Sequence, residues 1–274
     1  MTLQSNLLLS TVRLVGALHP ALGISERGVI GTGFNITVQS EAYANVRYGY
    51  LVTAAHVLRD QRCVEMQAPD PFTGLLHNPM PIPKTAWRIP LPKVDLACAS
   101  LEEIEHPKPL VARTEQWIVP NRTVHRVYLG QTIHYIGILT PLDRVMARSG
   151  TIGAVNQEGL EHEHGYEYPA HLVDCRSYWG FSGSPCYLEV EVPSLLAESP
   201  PHPLKGNLGP TGRMIAFTFL AGMFTQHLSE KFQGGATSLY GVGVMLRGQE
   251  IREALMSEEL QADRRTRDHA LPTS

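Results

Sequence analysis

Short apolar stretches dominate this chain, each closed off by Gly, Asn, Ser or Pro. Residues 11–15 (TVRLV), 33–38 (GFNITV) and 48–53 (YGYLVT) have the β-branched and aromatic content of strands. Residues 87–90 and 94–101 continue the series beyond a proline-rich loop at 68–83, and together they predict one antiparallel barrel. A second series at 123–128, 132–138, 149–155, 170–174, 185–190, 214–224 and 239–245 predicts another. Between two of its strands, residues 193–211 hold Pro193, Pro200, Pro201, Pro203 and Pro210 with Gly206 and Gly209. A central strand cannot tolerate so many missing donors, so the segment reads as a long surface loop. Ile251, Ala254, Leu255 and Leu260 are spaced for an amphipathic helix that would close the second barrel. The expected organisation is an N-terminal barrel over 1–114, a C-terminal barrel plus helix over 115–262, and a frayed tail over 263–274.

Charge and composition remove several function classes. Net charge is −3, and Arg264-Arg265-Thr266-Arg267 is the one basic cluster, so no nucleic-acid footprint is expected. The N-terminal residues lack a basic region ahead of an apolar stretch, and no run reaches the ~18–20 apolar residues of a membrane span. The four cysteines follow neither a secreted framework nor zinc spacing. A cytoplasmic location with reduced thiols is the expectation, although Cys175 and Cys186 are placed for either two free thiols or one bridge. Glu161-His162-Glu163-His164, with His171 nearby, lacks matched partner spacing and reads as a solvated loop rather than a metal site.

One segment carries chemistry. In Gly180-Phe181-Ser182-Gly183-Ser184-Pro185, flanking glycines let the backbone bend sharply, expose a serine Oγ and leave consecutive N–H groups free for an oxyanion. A serine hydroxyl needs a base, and the base an orienting acid. Upstream lie Thr53-Ala54-Ala55-His56 and Val94-Asp95-Leu96-Ala97, in the order His, Asp, Ser. Each residue has a bland reading, a packed histidine or a tight turn. A carboxylate in an apolar strand is harder to dismiss, because burying it costs several kcal/mol unless it is paired. Ser184 is a rival nucleophile, but an α/β-hydrolase elbow needs Gly-x-Ser-x-Gly and its acid and histidine downstream, and the first aspartate after Ser182 is Asp263.

Gly31-Thr32-Gly33-Phe34 and the block Leu51-Val52-Thr53-Ala54-Ala55-His56-Val57 resemble signature blocks of trypsin-like serine peptidases. Val94-Asp95-Leu96-Ala97, Ile136-Gly137, Ser149-Gly150-Thr151-Ile152, Asp174 and Tyr240-Gly241-Val242-Gly243-Val244 are similar to the bacterial, HtrA-like branch without its appended peptide-binding module. The resemblance implies an all-β fold of two six-stranded antiparallel barrels with a C-terminal helix, and a cleft between the barrels. It implies His56 as general base, Asp95 as its orienting acid, Ser182 as nucleophile, and the N–H groups of Gly180 and Ser182 as the oxyanion hole. Ser184 stands where the family usually has glycine, a small-for-small replacement. The implied reaction is cofactor-free peptide-bond hydrolysis of a protein or peptide substrate; an inactive peptide-binding scaffold is the alternative. Arg176, six residues before Ser182, would sit at the base of the primary pocket and favour an acidic side chain. Thr225, Gln226 and His227 would supply the edge strand for substrate, with His227 where a small residue is usual. Phe181 stands where many animal enzymes carry the aspartate that pairs with a freed N-terminus, so activation of that kind is not expected.

Overall fold

The computed structural model describes residues 10–19, 24–59, 61, 63–70, 73, 75–104, 113–114, 118, 127–139, 144–158, 160, 165–175, 180–193, 214–232 and 235–271 of the 274. Eight strands make a first sheet: β1 (Thr11–His19), β2 (Ile24–Gln39), β3 (Arg47–Thr53), β4 (Val64–Gln67), β5 (Met80–Ile82), β6 (Trp87–Arg88), β7 (Ala97–Ser100) and β8 (Arg113–Thr114). Their order is β5-β4-β1-β2-β3-β7-β6, with β8 lying parallel to β2. Six more form a closed barrel: β9 (Thr132–Leu139), β10 (Arg144–Gln157), β11 (Ala170–Asp174), β12 (Pro185–Pro193), β13 (Met214–Phe232) and β14 (Gly235–Arg247). Two helices follow, α1 (Gly248–Leu255) and α2 (Glu258–Ala270).

The all-β expectation holds, with two corrections. The first body is an open, half-barrel sheet rather than a closed six-stranded barrel, since its end strands β5 and β6 are not paired to each other. Both are two or three residues long and sit among Pro81, Pro83, Pro90 and Pro92, which lack the N–H a ladder needs. Of the expected strand at 123–128, residues 127 and 128 are irregular and the others lie outside the described residues, as does the body of the 193–211 loop. The second correction concerns the C-terminus, where residues 263–270 continue a helix instead of fraying. Ser257 caps α2 by accepting the Leu260 N–H.

That helix packs on the first sheet, although the chain reaches it through the second barrel. Asp268, 4% exposed, accepts from Ser40 Oγ at 2.8 Å and from Tyr48 Oη at 2.6 Å. Arg264 donates to Leu255 O and Tyr50 Oη, and its guanidinium lies 5.8 Å from the Tyr50 ring centre. Arg267 reaches Ser100, Glu102 and Glu103. Buried side chains of both bodies and both helices share one core, in which Leu14, Phe34 and Leu51 join Met223, Leu246, Ile251 and Leu260. A second core fills the barrel end with Ile133, Tyr135, Phe181, Phe224 and Met245.

Two stability predictions follow from these contacts. Asp268→Ala leaves the Ser40 and Tyr48 hydroxyls buried without their acceptor and should cost about 2–4 kcal/mol, measured by urea unfolding. His171 on β11 is 4% exposed and accepts the Asn156 N–H on Nδ1 at 3.1 Å. Burial first, and then the Arg247 charge, lower its pKa to about 4 from an ordinary 6.5. A base that titrates lower when folded stabilises fully above its unfolded pKa and loses that contribution as pH falls. Stability should therefore drop between pH 6.5 and about 4, by on the order of 3 kcal/mol, and the drop should be smaller in His171→Gln.

Candidate active site

His56 lies in a single 3-10 turn, Ala55–Leu58, directly after β3. Ala54 and Ala55 are buried and small, which lets this turn sit flat on the strand end. Asp95 precedes β7, the neighbour of β3, with Thr53 registered opposite Ala97. The carboxylate is 1% exposed and is taken up by one residue at two points. Oδ2 lies 2.7 Å from His56 Nδ1, and Oδ1 accepts the His56 N–H at 2.9 Å. The imidazole keeps 17% of its surface open. Tyr166 and Tyr168, from the segment before β11, both feel the Asp95 carboxylate. Burial and then the Asp95 charge push both phenols above their ordinary range. Glu167 between them donates its N–H to Lys93 O and pairs with Lys93 Nζ at 2.9 Å.

The serine loop comes from the second barrel and is held on both bodies. Phe181 is fully buried, with its ring 5.7 Å from that of Tyr135 in an edge-on contact. Burial of such a side chain contributes about 2–3 kcal/mol. Gly137 makes room for it, as a Cβ there would stand 2.5 Å from the phenyl ring. On the other side, the Thr32 N–H donates to Ser182 O at 2.8 Å, and Thr32 Oγ1 donates to Gly180 O at 2.7 Å. Gly183 donates to Phe224 O at 2.8 Å. Gly180 and Gly183 have φ of +94° and +88°, open to glycine at no steric cost. Among the described residues, the N–H groups of Gly180 and Ser182 have no acceptor.

These contacts bring the Ser182 backbone next to the His56 turn. At Gly31 a Cβ would stand 2.7 Å from the Val57 side chain and 3.0 Å from Ser182 O, so the two segments meet over one glycine. Ser182 is partly exposed, whereas Ser184 is fully buried and its Oγ has no partner among the described residues. The rival hydroxyl is inside the barrel. Cys175 and Cys186 are both free thiols there, and burial pushes Cys175 up to about 11.

The remaining expected site residues divide. Thr225 is buried, donating to Val244 O and accepting from Tyr168 Oη, and Gln226 is 8% exposed. Neither side chain is offered to solvent. Arg176 and the side chain of His227 lie outside the described residues, as do residues 161–164. Among the described residues, no three His, Cys, Asp or Glu side chains are grouped to hold a metal, and no helix is long and apolar enough to cross a membrane.

No protein-family model matches the chain, and no curated protein matches it in sequence. Solved structures do. The MamO protease domain from Magnetospirillum magneticum, in apo form, aligns with 93% of this chain and 100% of its own at TM-score 0.57 and 14% identity. The active form of the Rv3671c protease from M. tuberculosis aligns over 93% and 82% at TM-score 0.54 and 15% identity. The HtrA-type protease AlgW with tripeptide aligns over 94% of this chain and 65% of its own at TM-score 0.53 and 14% identity. The fold is that of the trypsin-like, HtrA-type serine protease domains. Likeness at 14–15% identity establishes the fold.

Thr32, Thr53 and Gly137 carry no role in the sequence pattern, although all three lie within the motif blocks. The available signal was a threonine inside an apolar strand: a buried hydroxyl needs an acceptor. Gly183→Ala tests the packing. Its Cβ would run into Thr32 O and Thr53 Oγ1, at a positive φ. Loss of at least about 3 kcal/mol is expected in urea unfolding.

Proposed function

We propose that this protein is a serine endopeptidase acting through Ser182, His56 and Asp95. The observation that carries the reading is the buried Asp95 carboxylate, gripping both Nδ1 and the backbone N–H of His56 beside the glycine loop that presents Ser182. A carboxylate so placed favours the tautomer with hydrogen on Nδ1 and leaves the Nε2 lone pair as base. Ser182 Oγ attacks the scissile carbonyl while His56 Nε2 takes its proton. The tetrahedral oxyanion is received by the N–H groups of Gly180 and Ser182. Collapse breaks the C–N bond, with His56 returning the proton to the leaving amine. Water, deprotonated by His56, then hydrolyses the acyl-enzyme.

Several further features support this reading. Beyond Pro185↔Met223, where β12 begins, β13 runs on with β14 as its strand partner among the described residues. Residues 225–227 would supply the edge strand for substrate through the backbone, and the side chains of Thr225 and Gln226 turn inward. Phe181 substitutes hydrophobic anchoring for the aspartate of N-terminally activated enzymes, so the serine loop is ordered without a freed terminus. The Arg176 preference for an acidic residue remains part of the proposal.

A fluorophosphonate probe should acylate the full-length, untrimmed protein at Ser182. Ser182→Ala should abolish labelling, and Asp95→Asn should slow it by about 10⁴-fold. Mapping of new protein N-termini generated by wild type, with Ser182→Ala as control, should give cleavage sites. A wild-type protein that binds peptides but neither labels nor cleaves would identify the inactive-scaffold alternative.

A further inference from the structure

We propose that Thr32 is a positioning residue for this chemistry: its hydroxyl and amide fix the Gly180 and Ser182 carbonyls, and so aim the Ser182 N–H, one of the two that receive the oxyanion. The inference rests on the reading of Ser182 as nucleophile.

Thr32 is fully buried on β2, in the body opposite to the serine loop. Its two donors reach two carbonyls of that loop, at 2.7 Å and 2.8 Å. A carbonyl and the N–H of the following residue share one rigid plane. Holding Gly180 O therefore fixes the 180–181 peptide, and holding Ser182 O fixes the 182–183 peptide. The second plane is held at its other end too, by Gly183 N–H on Phe224 O. The 181–182 peptide, which carries the Ser182 N–H, is suspended between two pinned planes.

The restraint has to come from outside the loop. At φ of +94° and +88°, Gly180 and Gly183 occupy a region that glycine enters and leaves freely, so their own preferences do not choose one arrangement. Thr32 also links the loop to the base. Thr53 Oγ1 donates to Thr32 O at 2.7 Å, and Thr53 is the last residue of β3, three positions before His56. One relay of hydrogen bonds thus runs from the strand that leads into His56, through Thr32, to both carbonyls of the serine loop. A hydroxyl present only for stability would satisfy Gly180 O and leave reactivity of the folded protein untouched.

Three substitutions separate these roles: Thr32→Val keeps the shape without the O–H, Thr32→Ala removes the methyl as well, and Thr32→Ser keeps the donor. The readouts are the maximal inactivation rate and half-saturating concentration of a fluorophosphonate at Ser182, with the fold checked by circular dichroism and thermal melting. Folded Thr32→Val and Thr32→Ala should react about 10- to 100-fold more slowly at saturation, with half-saturation changed by less than about 2-fold. Thr32→Ser should stay within about 3-fold of wild type, since its hydroxyl reaches the same carbonyl. A folded Thr32→Val that reacts at the wild-type rate overturns the proposal. So does a folded Thr32→Ser that reacts about 10-fold or more slowly than wild type, and this arm decides the matter if neither deletion folds. A wild type unreactive at Ser182 would remove the nucleophile reading and the role of Thr32 with it. A reactive wild type beside an equally reactive Thr32→Val removes the role of Thr32 alone.

Discussion

Buried carbonyl groups must find donors, and at the junction of the two bodies of this protein the donors come from the opposite body. Gly180 O and Ser182 O belong to a loop of the second barrel, yet Thr32 of the first sheet satisfies both. An unpaired buried carbonyl costs about 1–3 kcal/mol, so separating the bodies here is penalised twice over. The close approach this requires leaves no room for side chains. Gly31 and Gly183 are glycines where a Cβ would meet backbone oxygen of the other body. The glycines quoted as motif residues are thus docking surfaces as much as flexible joints.

The two halves of the site are built on different physics. Asp95 and His56 form a polar pair in a nearly closed setting, where the carboxylate is tolerable because both oxygens accept from one residue. The serine loop is anchored by hydrophobic burial of Phe181 against Tyr135, below a chain of neutral hydrogen bonds. An aromatic anchor of this kind does not depend on pH or on a processed terminus. It joins the Ser182 loop to the core of the closed barrel.

The open first sheet needs support that the closed barrel does not. Helix α2 supplies it by crossing back from the end of the chain, placing Asp268 and Arg264 into polar positions among Ser40, Tyr48 and Tyr50. These buried charges are fully engaged, which makes the contact directional and fixes one docking of the helix. The support lies under β3, the strand that leads into His56.

Local pattern was enough for the strands, the all-β class and the order of the three reactive residue types, because alternation and turn residues act within a few positions. The pairing of His56 with Asp95 was also legible, since a lone carboxylate in an apolar strand demands a partner and few candidates were nearby in type. Three features were not. The end of helix α2 looked like a tail because its apolar content is low, and its buried positions beyond Leu260 are Arg264 and Asp268, which meet Tyr50, Ser40 and Tyr48 at separations of 214, 228 and 220 residues. Closure of one body and opening of the other depended on prolines at the ends of two very short strands. Thr32 gave no local sign of its two acceptors. A hydrogen bond across 148 residues exists only once both bodies are folded, and tertiary structure alone decides which carbonyl a buried hydroxyl meets.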